Sequence, residues 1–265
     1  MSTKINIIVP YYNAEPYLDR CLQSLIDNKG DFLFLLVNDK STDNSLEIAE
    51  KYAKKDERIL LLYNREYGKG VSVARNIGLD FVMPGYVTFL DADDALAQNA
   101  YESYMKAIDF YPSFNSYIQM NHLRYYSKID KLALKYTNPK GLYTLEKMPQ
   151  LWEFVTNKLY STDLVKDIRF REGMQWGEDE LFNLQVLAKT GGQLVCTWEH
   201  AMVHHFDNPN SLSKSKGQEA LLDQIHILEE FLLKQEDVAL RRFLCEWIGY
   251  HWTTETYKSR IGGSK

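Results

Sequence analysis

Tyr86-Val87-Thr88-Phe89-Leu90-Asp91-Ala92-Asp93-Asp94 joins an apolar, β-prone run to a cluster of carboxylates. The first five residues suit a buried strand. A strand that delivers alternating acids to its own C-terminal end builds a place where a divalent cation can be held against a phosphate, because hard cations take oxygen ligands and leave coordination positions to a substrate.

On its N-terminal side, β-rich runs at 5–9, 32–37 and 59–63 alternate with helical segments at 15–26, 46–54 and 71–81. Strands alternating with helices of this length imply βαβ crossovers and a mainly parallel, twisted sheet. In open sheets of that kind, ligands bind in the crevice beyond the carboxyl ends of the strands. Asn13, Asp39, the pair Asn64 and Arg65, and Asp91 follow the four strands in turn and are therefore expected on one crevice.

On its C-terminal side the pattern changes. A helix is expected at 98–110, then antiparallel strands at 117–126 and 131–136 that turn the sheet mixed, with a turn at Asn138-Pro139-Lys140-Gly141. Helices are expected at 151–160, 161–166 and 179–189, the last stopped by Gly191-Gly192, and strands at 193–198 and 201–205. A helix at 219–234 places Leu221, Leu222, Ile225, Leu228, Leu232 and Leu233 on one face. The next, at 237–258, carries Arg241, Arg242 and Lys258, with Arg260 just beyond, alongside Phe243, Trp247, Tyr250 and Trp252. Such a basic, aromatic end can lie as a peripheral contact on an anionic membrane or pack back on the core. The fold class is α/β, Rossmann-like, with a C-terminal helical appendage. Residues 1–213 are expected to form the main domain, with halves at 1–97 and 98–213, and 214–265 the extension.

Composition excludes several classes. The chain has 265 residues and a formal net charge of -5, which gives no electrostatic reason to expect nucleic acid as a partner. Cys21, Cys196 and Cys245 are far apart with no C-x-x-C pair, which suits reduced packing thiols in a cytoplasmic protein. Residues 5–9 are too short for a signal peptide and are stopped by Pro10. The run 32–37 is far below the roughly 20 apolar residues that cross a bilayer. The aromatic residues between Tyr101 and Tyr160 read as a well-filled layer rather than a sugar-stacking surface.

Five segments in a fixed order carry a family resemblance: Ile8-Val9-Pro10-Tyr11-Tyr12-Asn13; Val37-Asn38-Asp39-Lys40-Ser41-Thr42-Asp43; Gly68-Lys69-Gly70 with Ala74-Arg75-Asn76-Ile77-Gly78; Phe89-Leu90-Asp91-Ala92-Asp93-Asp94; and Gly177-Glu178-Asp179. From about residue 5 to 213 the chain resembles the family 2 glycosyltransferases of the GT-A fold, in particular those of bacterial polysaccharide assembly. The resemblance implies an inverting, metal-dependent enzyme that moves a sugar from a nucleoside diphosphate, UDP above all, to a glycan or lipid-linked glycan acceptor.

By that resemblance the nucleotide meets Pro10, Tyr12, Asn13 and Asp39, whose acceptor-only carboxylate can take a uracil N–H. Arg75 lies beside the donor or pairs with Asp39 or Asp91. In the D-x-D motif, Asp91 takes the ribose and a share of the metal, Asp93 takes Mn2+ or Mg2+, and Ala92 sits between them, with the roles divided by alternation along an extended chain. Asp94 takes part or caps the following helix. Asp179 is the general base and Glu178 its runner-up or orienting neighbour. Trp176 stacks on the acceptor or fills the core. His204 or His205 is a further metal ligand or phosphate donor, just before a loop at 208–213 that resembles the one closing over the diphosphate. Lys40 stands where the family usually has glycine, and a left-handed backbone there costs about 1–2 kcal/mol. Competing classes are a glycosidase, a sugar nucleotidyltransferase and a catalytically silent nucleotide-sugar-binding module.

Overall fold

The computed structural model describes residues 3–65, 68–126, 130–135, 139–147, 154–174, 176–205 and 218–253. The N-terminal half alternates as expected: β1 (Ile5–Tyr11), α1 (Glu15–Asp27), β2 (Phe32–Asn38), α2 (Ser45–Ala53), β3 (Ile59–Tyr63), α3 (Val71–Leu79) and β4 (Tyr86–Phe89). Next come β5 (Ala95–Leu96), α4 (Ala100–Asp109), β6 (Tyr117–Gln119), β7 (His122–Tyr126), β8 (Lys131–Lys135), β9 (Gly141–Tyr143), β10 (Lys158–Ser161) and α5 (Thr162–Val165). The chain continues with α6 (Glu178–Lys189), β11 (Leu194–Cys196), β12 (Met202–His205), α7 (Gln218–Leu233) and α8 (Val238–Thr253).

An eight-stranded sheet runs β3-β2-β1-β4-β10-β6-β11-β9, parallel from β3 to β4 and mixed from β10 onward. A smaller sheet, β5-β12-β7-β8, stands beside it. β1 is central and buried along its whole length. Its alternating side chains feed two cores: Ile5, Ile7 and Val9 pack with Leu18, Leu22 and Tyr104, while Ile8 packs with Val37, Ala74 and Phe89 on the other face. Gly78 of α3 lets that helix lie directly on β1, since a Cβ there would come within 2.5 Å of Ile8.

Several expectations need correction. Pro10 does not stop the first strand but lies inside β1, in register with Val37. Tyr86 and Leu90 donate to the carbonyls of Lys4 and Ile8, so the even-numbered residues of β1 face β4, whose ladder ends at the Ile8–Phe89 pair. Proline therefore sits where no neighbour asks for its N–H. Residues 158–161 are not the end of a helix. They form β10, antiparallel between β4 and β6, and residues 151–153 lie outside the described ones. Leu159 goes to one core and Tyr160 to the other, a strand-like alternation that burial on both faces imposes over local propensity. The run 117–126 is two strands, because the amide of Met120 bonds Asn157 and that of Asn121 bonds Glu199, where the chain leaves one sheet for the other. Cys21 and Cys196 are buried, whereas Cys245 is exposed rather than packed.

The aromatic residues fill the interior, with Tyr104, Tyr117 and Tyr160 fully buried. The rings of Tyr117 and Tyr160 stack with centroids 5.4 Å apart. Their hydroxyls converge on Asn183 Oδ1 of α6, at 3.1 Å and 2.7 Å. α7 and α8 pack on α6 through Leu228 and Leu240, which meet Leu181 and Leu184. Among the described residues no helix is long and apolar enough to cross a membrane. Lys258 and Arg260 lie outside the described residues, as do residues 206–217 with the loop at 208–213.

Asn183 thus fixes α6 against the sheet. Asn183→Leu leaves two buried hydroxyls without an acceptor, at about 1–3 kcal/mol each. Urea unfolding should show a loss of about 2–5 kcal/mol, and adding Tyr117→Phe and Tyr160→Phe should return most of it. A triple variant no more stable than the single one contradicts this account.

Candidate active site

Arg75, on α3 and with a side chain only 4% exposed, is the hub of a cluster of carboxylates. Its Nη1 donates to Asp179 Oδ1 at 2.6 Å and to Glu178 Oε1 at 3.2 Å, and its Nη2 donates to Asp91 Oδ1 at 3.1 Å. The expected pairing with Asp91 is present. The alternative pairing with Asp39 is not among the contacts of Arg75, and two further acids take part instead. A planar guanidinium presents five donors in a rigid fork and so holds acids on two sides at once in a fixed geometry. The cation rests over the Phe170 ring at 5.2 Å, and that ring stacks on Phe182 with centroids 4.2 Å apart. Asn76, the next residue along α3, bonds both the amide and the carbonyl of Phe170, at 2.8 Å and 2.9 Å. Nothing in the sequence assigned Asn76 that work. A polar side chain that replaces a backbone partner leaves no periodic signal.

One cation facing three acids leaves the cluster two negative charges in excess when all are ionised. Burial pushes the carboxyl of Asp179 up to about 7, against the pull of Arg75, while Glu178 and Asp91 push it further in the same direction. Burial opposes the charge on Arg75, but Asp179, Asp91 and Glu178 outweigh it and hold the guanidinium more firmly protonated than a free arginine. Asp179 Oδ2 also accepts from the amide of Val155 at 3.2 Å. Both acids sit in the first turn of α6, where the helix N-terminus favours negative charge.

The D-x-D segment is a turn rather than an extended chain, closed by the amide of Asp94 on the carbonyl of Asp91 at 3.0 Å. Ala92 is buried inside it, while the side chain of Asp91 is 37% exposed and Asp93 is partly exposed. Arg20 donates to the carbonyl of Asp93 and steadies the turn. Asp94 does not cap α4, which starts only at Ala100. It is buried, accepts from the amide of His205 at 2.8 Å and meets Nδ1 of His204 at 2.8 Å. β12 is thereby pinned to the acidic turn. Burial raises the Asp94 carboxyl to about 6 despite the His204 contact, and His204 is raised because Asp94 outweighs its own desolvation. With Nδ1 directed at Asp94, the imidazole of His204 is oriented by a carboxylate, an arrangement common behind metal-binding imidazoles. The ring of His205 packs instead against Tyr125, with centroids 5.1 Å apart.

Among the described residues no three His, Cys, Asp or Glu side chains gather closely enough to enclose a metal by themselves. Two partly exposed carboxylates at the mouth of an acidic turn do fit a hard cation that takes its remaining oxygens from a phosphate and water.

The other expected residues line the loops after β1, β2 and β3. Asp39 is buried and accepts from Asn64 Nδ2 at 2.6 Å and from the amide of Gly70 at 2.7 Å. It caps no helix. Asn64 also reaches the carbonyl of Gly68 at 2.7 Å, so one carboxylate and one amide organise the loop that opens α3. Lys40 has φ 64°, the left-handed backbone expected of it. Asn13 accepts from the amide of Thr42 at 2.8 Å and ties the first loop to the second. Tyr12 is 51% exposed, with Lys69 over its ring at 5.9 Å. Trp176 is half-buried. Arg75 joins Asp91, Glu178 and Asp179 directly, Asp93 and His204 flank the acidic turn, and Asp39 belongs to a separate cluster of contacts on the loops.

The family model for glycosyl transferase family 2 matches residues 6–167. The chain is 35% identical over 204 residues to the glycosyltransferase GlyA of Streptococcus pneumoniae serotype 4, covering 69% of this chain and 28% of that protein. It is 28% identical over 193 residues to a poly(ribitol-phosphate) beta-glucosyltransferase of Bacillus spizizenii, covering 70% of this chain and 30% of the relative. It thus spans less than a third of the length of either relative. Among solved structures, residues 1–349 of S. aureus TarS in complex with UDP-GlcNAc superpose with a TM-score of 0.80 at 20% identity, covering 97% of this chain and 75% of that one. The fold is GT-A.

Arg75→Met leaves three acids facing one another, and breaking a buried charge cluster from one side costs about 3–5 kcal/mol. Urea denaturation should register that loss, and combining the change with Asp91→Asn and Asp179→Asn should recover most of it. Equal stability of Arg75→Met and the native chain would contradict the cluster.

Proposed function

The chain belongs to glycosyl transferase family 2, and from that premise we propose that it is an inverting, metal-dependent glycosyltransferase. It moves a hexosyl or N-acetylhexosaminyl group from a nucleoside diphosphate, UDP in the first instance, to a carbohydrate or lipid-linked acceptor of a bacterial surface polymer. The observation that carries this reading is Arg75 holding Asp91 of the acidic turn and Asp179 of α6 on one guanidinium. Donor-side and acceptor-side carboxylates thereby share a site.

Tyr12, Asn13 and Asp39, on the loops after β1 and β2 beyond Pro10, receive the nucleotide. Asp39 has lone pairs beyond the two engaged by Asn64 and Gly70 and accepts the uracil N–H. Asp91 takes the ribose and shares with Asp93 the holding of Mn2+ or Mg2+, whose remaining oxygens would come from the diphosphate and water, with His204 as a further donor from β12. Ala92 gives the turn its close backbone approach. When bound, the cation neutralises the charge that collects on the departing diphosphate. His205 supports the site by packing on Tyr125. Arg75 keeps Asp91 in place and adds positive charge beside the leaving group.

Asp179 accepts the proton of the acceptor hydroxyl, with Glu178 orienting it. The acceptor oxygen forms its bond to the anomeric carbon as the bond to the diphosphate breaks, the leaving oxygen keeping the electron pair. Attack opposite the leaving group inverts the anomeric centre. A carboxylate whose affinity for protons is raised by burial is a better base than an exposed one.

The acceptor class is supported by the relatives, among them the poly(ribitol-phosphate) glucosyltransferase. Work at the cytoplasmic face of the membrane fits that class, with the exposed Arg241 and Arg242 of α8 as the side for peripheral contact.

The test is UDP release from a panel of nucleotide sugars with and without Mn2+. The native chain should turn over at least one UDP-sugar and lose that activity with a chelator. Asp93→Asn should abolish turnover, and Asp179→Asn should lower kcat by about 10^2–10^4-fold while UDP binding persists. Because the base must be ionised and its carboxyl is raised to about 7, activity should rise with pH through that value and fall about tenfold per unit below it. UDP binding without turnover of any donor would mean a silent binding module. Near-native rates of either variant would refute the role given to that residue.

A further inference from the structure

Glu178 and Asp179 open α6 directly after Gly177, whose φ is 80°, and no side chain caps this helix end. What braces it from behind is α7. Gln224, 5% exposed, donates from Nε2 to Oε2 of Glu180 at 2.7 Å, and Glu180 is itself 6% exposed. The same amide crowds the hinge, since a Cβ on residue 177 would come within 2.5 Å of Gln224 Nε2. Glycine is required there by backbone conformation and by space. Further along α7, Glu230 accepts from Arg171 at 3.0 Å, and Leu228 packs with Leu181 and Leu184 on the underside of α6. One helix therefore holds the loop that enters the turn, the hinge itself, and the helix that leaves it.

We propose that Gln224 is a positioning residue for Asp179. Arg75 and the amide of Val155 hold Asp179 from the side of the site, and Gln224 meets the same first turn of α6 from behind the glycine hinge. Glu180 supplies the handle: loss of a donor to its buried carboxylate costs free energy and draws it toward water, turning Glu178 and Asp179 with it. Gln224 is such a donor, and its bulk behind Gly177 blocks the opposite movement. The C-terminal helices are then part of the catalytic machinery rather than an appendage. The proposal rests on Asp179 being the general base.

The experiment exchanges the two partners. Gln224→Glu sets two carboxylates against each other, Gln224→Met removes the hydrogen bond at similar volume, and Glu180→Gln with Gln224→Glu restores it with donor and acceptor reversed. The full chain is assayed by UDP release from the nucleotide sugar that the native protein turns over best, and UDP affinity is measured by calorimetry with Mn2+.

Both single changes at Gln224 should lower kcat by about 10- to 100-fold, the scale of a misplacement near 1 Å. UDP affinity should hold, and the exchange should recover kcat to within a few-fold. Native kcat in both single variants would overturn the proposal. So would a joint fall of kcat, UDP affinity and unfolding midpoint that the exchange does not rescue, because that is the mark of a residue that only maintains the fold. Asp179→Asn run in parallel separates the two readings. If it stays active, the assignment of the base fails; if it is inactive while the Gln224 variants are native, only the present proposal fails.

Discussion

A guanidinium enclosed at 4% exposure must be matched by acids, and Arg75 is matched by three: Asp91, Glu178 and Asp179. The contact with Asp179 spans 104 residues of sequence and links the parallel half of the sheet to a helix that lies between two strands of the mixed half. Burying such a group is costly, and the cost is recovered only while every partner is in place. The two halves of the site are therefore held in register by one ion cluster. Phe170 and Phe182 keep water from its apolar side, and Asn76 fixes Phe170 by its own backbone. The excess of negative charge over positive also fits a site that receives a cation together with its phosphate.

A second layer of order comes from buried asparagines. Asn6 binds backbone groups of Met83 and Tyr86 where β4 begins. Asn28 bonds the carbonyls of Ser24 and Ala97 and the amide of Ala100, joining the end of α1 to the start of α4. Asn64 joins Asp39 to the loop opening α3, and Asn183 gathers two tyrosine hydroxyls. Each has a donor and an acceptor on one short arm, so each can stand in for the backbone partner that a loop or crossing chain lacks. The acids around Arg75 stand on helices and turns of the same framework.

This explains what the sequence could and could not disclose. Period and punctuation mark β1 to β4 with their helices, because those elements are decided by local pattern and burial on both faces. The positions of the acids at 91, 93 and 179 are legible because a strand end and the start of a helix carry their own local pattern. β10 was hidden, since Lys158-Leu159-Tyr160 has no intrinsic period long enough to choose between helix and strand, and the choice is made by β4 and β6 on either side. Asp94 was misread for a related reason: an acid shortly before a helix suits an N-cap, but the chain detours through β5 first and the carboxylate is claimed by β12. Gln224 gave no signal at all, because its meaning lies in Gly177 and Glu180, far away in sequence and against it in space.

The turn at residues 91–94 also settles how four nearly identical positions come to differ. An extended chain would have sent Asp91 and Asp93 to one face together and Asp94 to the other. The closed turn instead sends Asp91 to Arg75, buries Ala92, leaves Asp93 partly exposed, and drives Asp94 inward to His204 and the amide of His205. The buried acid then has a structural task that an exposed neighbour could not perform, since its hydrogen bonds gain strength from the low dielectric that raises its proton affinity. With Nδ1 of His204 engaged by that acid, the imidazole is oriented by the same turn that supplies Asp91 and Asp93. The acidic turn and β12 are thus set against each other through Asp94, whose own amide closes the turn on Asp91, and the spacing of the motif matters because it is the length that closes this turn.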